Sequence, residues 1–79
     1  MKHELKIWPQ FYKPVSEGRK TFEIRKNDRG FQAGDWVSLN EWEPSAGCYT
    51  GAAPLCFTIG YVLPVDAERV VFSLIKETP

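Results

Sequence analysis

Apolar and polar residues alternate along most of this chain in short runs, and Pro, Gly, Asn and Asp separate the runs. A period of two marks a strand with one buried face, so the fold must be built mainly from short strands. In His3 to Trp8, Leu5 and Ile7 share one face and Glu4, Lys6 and Trp8 the other. In Lys20 to Lys26, Phe22 and Ile24 point one way and Thr21, Glu23 and Arg25 the other. Trp36 to Trp42 sets Val37 and Leu39 against Trp36, Ser38 and Asn40. Leu55, Phe57, Ile59, Tyr61 and Leu63 share one parity, and Val70, Phe72 and Leu74 oppose Val71, Ser73 and Ile75 in a last strand, Arg69 to Ile75. Glu77, Thr78 and Pro79 are expected to fray.

One helix interrupts this pattern. Pro9 is suited to a first helical position, where its missing N–H is not needed. The segment Gln10 to Glu17 then places Phe11 and Val15 on one core-facing side. Pro14 shortens or kinks that helix, and Gly18 ends it. Asn27-Asp28-Arg29-Gly30 and Ala33-Gly34-Asp35 are turns by composition. Glu43 to Pro54 reads as a hairpin loop with a short strand near Cys48-Tyr49-Thr50. The expected fold is α+β and mostly β: a small barrel of about five strands with one short helix after the first strand.

Seventy-nine residues make one domain, 1–79, with a thin core. Three Trp, three Tyr and five Phe supply most of its bulk. Two cysteines, Cys48 and Cys56, and a single histidine, His3, are too few for the usual four-ligand zinc site, so neither a metal nor a cofactor is expected. A disulfide between the cysteines would close a short loop, but the opening Met1 to Lys6 lacks a signal-peptide core, which favours reduced thiols and a cytoplasmic location. No apolar run reaches the ~20 residues of a membrane span.

The net charge is zero, so any affinity for nucleic acid must be local. Lys13, Arg19, Lys20, Arg25, Lys26 and Arg29 oppose only Glu17, Glu23 and Asp28: six cations against three carboxylates leave that stretch at +3.

The same stretch carries a family signature. Gly18-Arg19-Lys20-Thr21-Phe22-Glu23-Ile24-Arg25 resembles the Gly, any residue, Lys, two variable positions, Glu or Thr, any residue, Arg pattern of ASCH domains, a branch of the PUA-like β-barrels. His3 to Lys6, Trp8-Pro9 and Phe11-Tyr12 before it, and Arg25 to Arg29, Phe31, Gly34-Asp35 and Leu39 to Trp42 after it, resemble the small DUF3850-type subgroup of bacteria and their phages. The resemblance implies an RNA-binding cleft between the first helix and the barrel, lined by the signature strand. Some ASCH relatives are hydrolases of an acylated cytidine. Lys20 matches their catalytic Lys, but Glu23 stands where they have a nucleophilic Thr, and the insertion carrying their distal Glu is missing. Other relatives are described as ribonucleases.

RNA or a nucleotide is accordingly the expected partner, held by Lys6, Trp8, Lys20, Thr21, Glu23, Arg25, Lys26 and Arg29. Thr21, Glu23 and Arg25 would stand ~6.5 Å apart on one strand face. Arg25 suits phosphate because its guanidinium bonds in a planar pair. Lys26 and Arg29 flank a turn and reach for backbone phosphates. Trp8, beside the helix start, is the favoured stacking surface over Trp36 and Trp42. Against this stands the plainer reading of solvated charges and core-filling Trp side chains, with Asp28 a turn former and His3 a solvated terminal residue. Lys20 shares a parity with Phe22 and Ile24, which aims it away from Glu23. The weaker alternatives are an enzyme, an amidohydrolase or ribonuclease using Lys20, Glu23 and His3, and a protein-binding accessory module using exposed aromatics such as Tyr49. A monomer is the default.

Overall fold

The computed structural model describes residues 1–76; the fraying expected of Glu77, Thr78 and Pro79 lies outside them. The elements are β1 (Lys2–Ile7), α1 (Pro9–Ser16), β2 (Phe22–Lys26), β3 (Trp36–Glu43), β4 (Cys48–Tyr49), β5 (Leu55–Pro64) and β6 (Arg69–Lys76). Six strands form one mixed sheet in the order β1-β3-β5-β6-β2, with β4 hanging on the outer half of β3. β1 runs parallel to β3, which needs a long crossover, and α1 and β2 provide it. The other pairings are antiparallel.

The period-two reading holds for β1 and β6, and for β3 with the exception that Ser38, expected on the polar face, is also buried. Leu5, Ile7, Val37, Leu39, Val70, Phe72 and Leu74 are all buried and form the core with Val15, Phe31 and Ile59. β5 departs from it. The register shifts between Ile59 and Val62, so two residues, Gly60 and Tyr61, stand opposite Ser73. Such a bulge reverses the parity of everything after it. Ile59 opposes Leu74 and Val62 opposes Phe72, so both face the core, while Tyr61 and Leu63 turn out to solvent. The expectation that Tyr61 and Leu63 share a face with Ile59 is thereby corrected. Gly60 leaves room for its neighbours: a Cβ there would lie 2.7 Å from both Ile75 Cδ1 and Ser73 Oγ, so one of these side chains would have to move.

The expected barrel is also corrected. β1 and β2 end the strand order and share no ladder, so the sheet is not closed. Side chains span the gap instead: Arg25 Nη2 donates to the Lys6 carbonyl at 2.8 Å, and Arg29 Nη1 to the Glu4 carbonyl at 3.4 Å. The cause is the inward direction of β2's polar residues. Glu23 pairs with Phe72 and Arg25 with Val70, and both partners face the core. Inward-pointing charges on an edge strand are a known device for preventing further pairing.

α1 begins with Trp8 at the N-cap and Pro9 in the first turn. Pro14 sits inside its last turn, and the chain unwinds through Glu17 N–H to Lys13 carbonyl and Arg19 N–H to Pro14 carbonyl bonds. Val15 is buried as expected, but Phe11 is half-exposed, and Tyr12 takes its place against the core. The Tyr12 hydroxyl donates to the Ala53 carbonyl at 2.7 Å and ties the helix to the loop before β5.

Candidate functional site

The gap between β1 and β2 is a cleft of about 400 Å³, lined by Lys6, Ile7, Trp8, Phe11, Lys20, Phe22, Glu23, Ile24 and Arg25. It exists because two strands that are neighbours in space do not pair. Its floor is Glu23, only 4% exposed. Burying a carboxylate is costly unless it is paired and hydrogen-bonded, and Glu23 has two cationic partners. Lys20 Nζ bonds one oxygen and also donates to the Phe22 carbonyl at 2.9 Å. Arg25 donates to the other oxygen from Nε at 2.9 Å and lies within 2.8 Å through Nη2.

The parity expectation for β2 was therefore right in period and wrong in direction. Glu23 faces inward, and Phe22 and Ile24, expected in the core, are about half-exposed. The Lys20–Glu23 pair, which parity alone disfavours, forms because Lys20 precedes the strand and is free of its alternation. Its ammonium also lies 5.6 Å from the Phe11 ring centroid and 5.2 Å from that of Phe22, within cation–π range.

Five of the eight expected binding residues line the cleft: Lys6, Trp8, Lys20, Glu23 and Arg25. Lys6 Nζ sits 3.8 Å over the Trp42 ring, and Trp42 meets Tyr49 edge-on at 4.9 Å, so an aromatic ledge runs from the cleft mouth along β3 and β4. Thr21 does not join them. It borders a separate hollow with Val15, Cys56 and Leu74, and its carbonyl accepts the Leu74 N–H at 2.9 Å. Lys26 is exposed outside the cleft, and Arg29 is occupied at the edge of β1. Asp28 is exposed in a bend and makes no side-chain bond to the turn among the described residues. Trp36 is exposed on the outer face of β3, away from the cleft.

Sequence reasoning missed Phe11, Phe22 and Ile24 as cleft walls because each looked like core. Two of them stand on β2, whose facing is set by its pairing with β6. No local signal in β2 identifies which of its two faces is buried.

His3 is not a solvated terminal residue. It is buried on the inner face of β1, with Nε2 2.8 Å from Asp35 Oδ2 and its ring 4.7 Å from that of Phe31. It does not line the cleft, which separates it from Lys20 and Glu23. Asp35 also accepts the Gln32 N–H at 3.1 Å and the terminal ammonium at 3.3 Å. The His3 bond, helped by those two donors, holds the Asp35 carboxyl below its ordinary range against the opposing effect of burial. Cys48 and Cys56 are both exposed free thiols.

Residues 2–73, which span β1 through most of β6, match the family described as "Domain of unknown function (DUF3850)". The chain belongs to the DUF3850 family. This DUF3850 domain is also 41% identical, over 49 residues, to the "Uncharacterized 12.9 kDa protein in GpA 3'region" of Escherichia phage P2. The match takes in 62% of the domain but 43% of the phage protein, so the chain spans less than half the length of that relative.

Proposed function

We propose that this domain is of the ASCH type and binds RNA or a nucleotide in the β1–β2 cleft. The observation that carries the reading is the pairing of one buried carboxylate, Glu23, with two cations at the floor of an aromatic-walled cleft. Lys6, Lys20 and Arg25 against Glu23 leave the lining at +2, which favours an anion. Arg25 spends Nε and Nη2 on protein acceptors, and Nη1 has no partner among the described residues, so it is available to a phosphate oxygen. Trp8 and Phe11 offer flat apolar surface at the same opening, suited to a base. The signature residues Lys20, Glu23 and Arg25 form this site together, which supports the ASCH assignment.

Fluorescence anisotropy with a short labelled oligoribonucleotide tests the reading. With one to three phosphates neutralised, log affinity should fall against log salt with a slope of about −1 to −2. Trp8→Ala should weaken binding by ~5- to 100-fold, the loss of one stacked base. A flat salt dependence together with an unchanged Trp8→Ala affinity refutes it.

The contact between Lys20 Nζ and Glu23 supports a second reading, hydrolysis of a modified nucleoside or RNA, since a lysine held on a carboxylate inside a cleft is a possible proton donor. Product formation abolished in Lys20→Ala supports it, and unchanged turnover removes it.

A further inference from the structure

The outer face of the sheet breaks the rule that a solvent-facing antiparallel surface is polar. Ile24 of β2 opposes Val71 of β6, which opposes Leu63 of β5. Phe22 opposes Ser73, and Tyr61 is held over the same position by its N–H bond to Ser73 Oγ at 2.9 Å. Ile75 opposes Thr58, which opposes Trp36 of β3. The nine residues named are uncharged, and Lys2 of β1, opposite Trp36, extends the last row at the edge of the sheet. Phe22, Ile24, Trp36, Tyr61, Leu63 and Ile75 are 44% to 67% exposed.

We infer that this face is the interface of a two-fold symmetric homodimer. The area fits a second copy. Phe22, Trp36 and Tyr61 at about half exposure present ~225–375 Å² when each aromatic offers ~150–250 Å², and Ile24, Leu63 and Ile75 add aliphatic area beside them. Val71, Ser73 and Thr58 extend this beyond the few hundred Å² of an ordinary surface patch and toward the ~800 Å² that each partner gives to a standard interface. The electrostatics fit too: a self-complementary contact places each patch against itself, and an uncharged patch meets no like-charge repulsion there. Two twisted sheets packed face to face would stand ~10 Å apart, with these rows as the shared core. The bulge at Gly60 and Tyr61 builds the surface, because it turns Tyr61 and Leu63 outward while Ile59 and Val62 stay in the core. Phe22 and Ile24 of this patch also wall the cleft, whereas Trp36, Tyr61, Leu63 and Ile75 do not, so variants at Tyr61 and Leu63 test the dimer separately from the binding proposal.

Sedimentation velocity on the full chain tests it, with Leu63→Arg and Tyr61→Arg as variants, since neither residue lines the cleft. The expected result is a species of twice the 9.1 kDa chain mass, dissociating with a constant of ~10 µM or below, and a rise of ~30-fold or more in that constant in each variant. Far-UV circular dichroism verifies that the variants fold. Tyr61→Ser gives the same readout without a new charge, at a position 67% exposed. A monomer at every concentration overturns the inference. A dimer that Tyr61→Ser and both Arg variants leave intact overturns it by placing the interface elsewhere.

Discussion

Replacing Arg25 by Ala should destabilise the domain more than the loss of a surface charge would. Exposed ion pairs contribute ~0–1 kcal/mol. Arg25 is not of that kind, because its partner Glu23 has a side chain only 5% exposed and its own is 24% exposed. Removing it leaves one Glu23 oxygen without a donor and unties β2 from the Lys6 carbonyl of β1. A hydrogen bond to a charged group contributes ~1.5–3 kcal/mol. Water replaces the donor at the Lys6 carbonyl more readily than at Glu23, so the expected total is ~2–3 kcal/mol, a fall of ~10–20 °C in Tm for a domain of this size. Urea denaturation of Arg25→Ala, Glu23→Gln and the double variant measures it. The two single effects should fail to add by ~1–2 kcal/mol, as expected for groups in direct contact. Arg25→Lys should recover little, since an ammonium cannot bond Glu23 and Lys6 in one plane. If Arg25→Ala costs under ~0.5 kcal/mol, the side chain is an ordinary solvated arginine, and the account of the open seam as an arginine-braced cleft is wrong.

Other expectations follow from particular contacts. Gly60→Ala should cost ~1–3 kcal/mol, because the new methyl must displace Ile75 or break the Ser73 bond to Tyr61; an unchanged melting curve shows that the bulge yields freely. Asp35→Asn should lose ~1–3 kcal/mol at neutral pH through the weakened bond to buried His3. The Asp35 carboxyl is held low in the folded state, so its contribution is complete above the ordinary carboxylate pKa of ~4 and disappears as pH falls through the lower folded value. The stability gap between wild type and Asp35→Asn should therefore narrow on acidification below about pH 4, and a gap that is constant from pH 7 to pH 2 contradicts the assignment.

Most of the strands were legible because their pattern is local. The alternation of Leu5 and Ile7, of Val37 and Leu39, and of Val70, Phe72 and Leu74 states which face is buried without reference to any other strand. Two features escaped for the same reason. In β2 the alternation is present, but whether Phe22 or Glu23 faces inward depends on pairing with β6, and hydrophobicity alone gives the wrong answer. In β5 a single extra residue reverses the facing of Tyr61 and Leu63, and the only local sign is Gly60, which is as common in turns as in bulges.

These two failures share a physical consequence. Had Phe22 and Ile24 faced inward, β2 would carry neither a carboxylate nor a guanidinium into the seam beside β1. The reverse facing puts a carboxylate and a guanidinium at the seam, and their demand for hydrogen bonds is met by Lys20 and the Lys6 carbonyl. A ladder between β1 and β2 would need the space those groups occupy, so the seam stays open as a cleft. The same facing sends Phe22 and Ile24 outward to join Leu63 and Tyr61, which the bulge in β5 has turned to the same side. The cleft and the apolar outer face thus meet along one strand, with Phe22 and Ile24 at their shared border. An inward pair of charges on β2 produces the first, and its displaced hydrophobic residues supply part of the second.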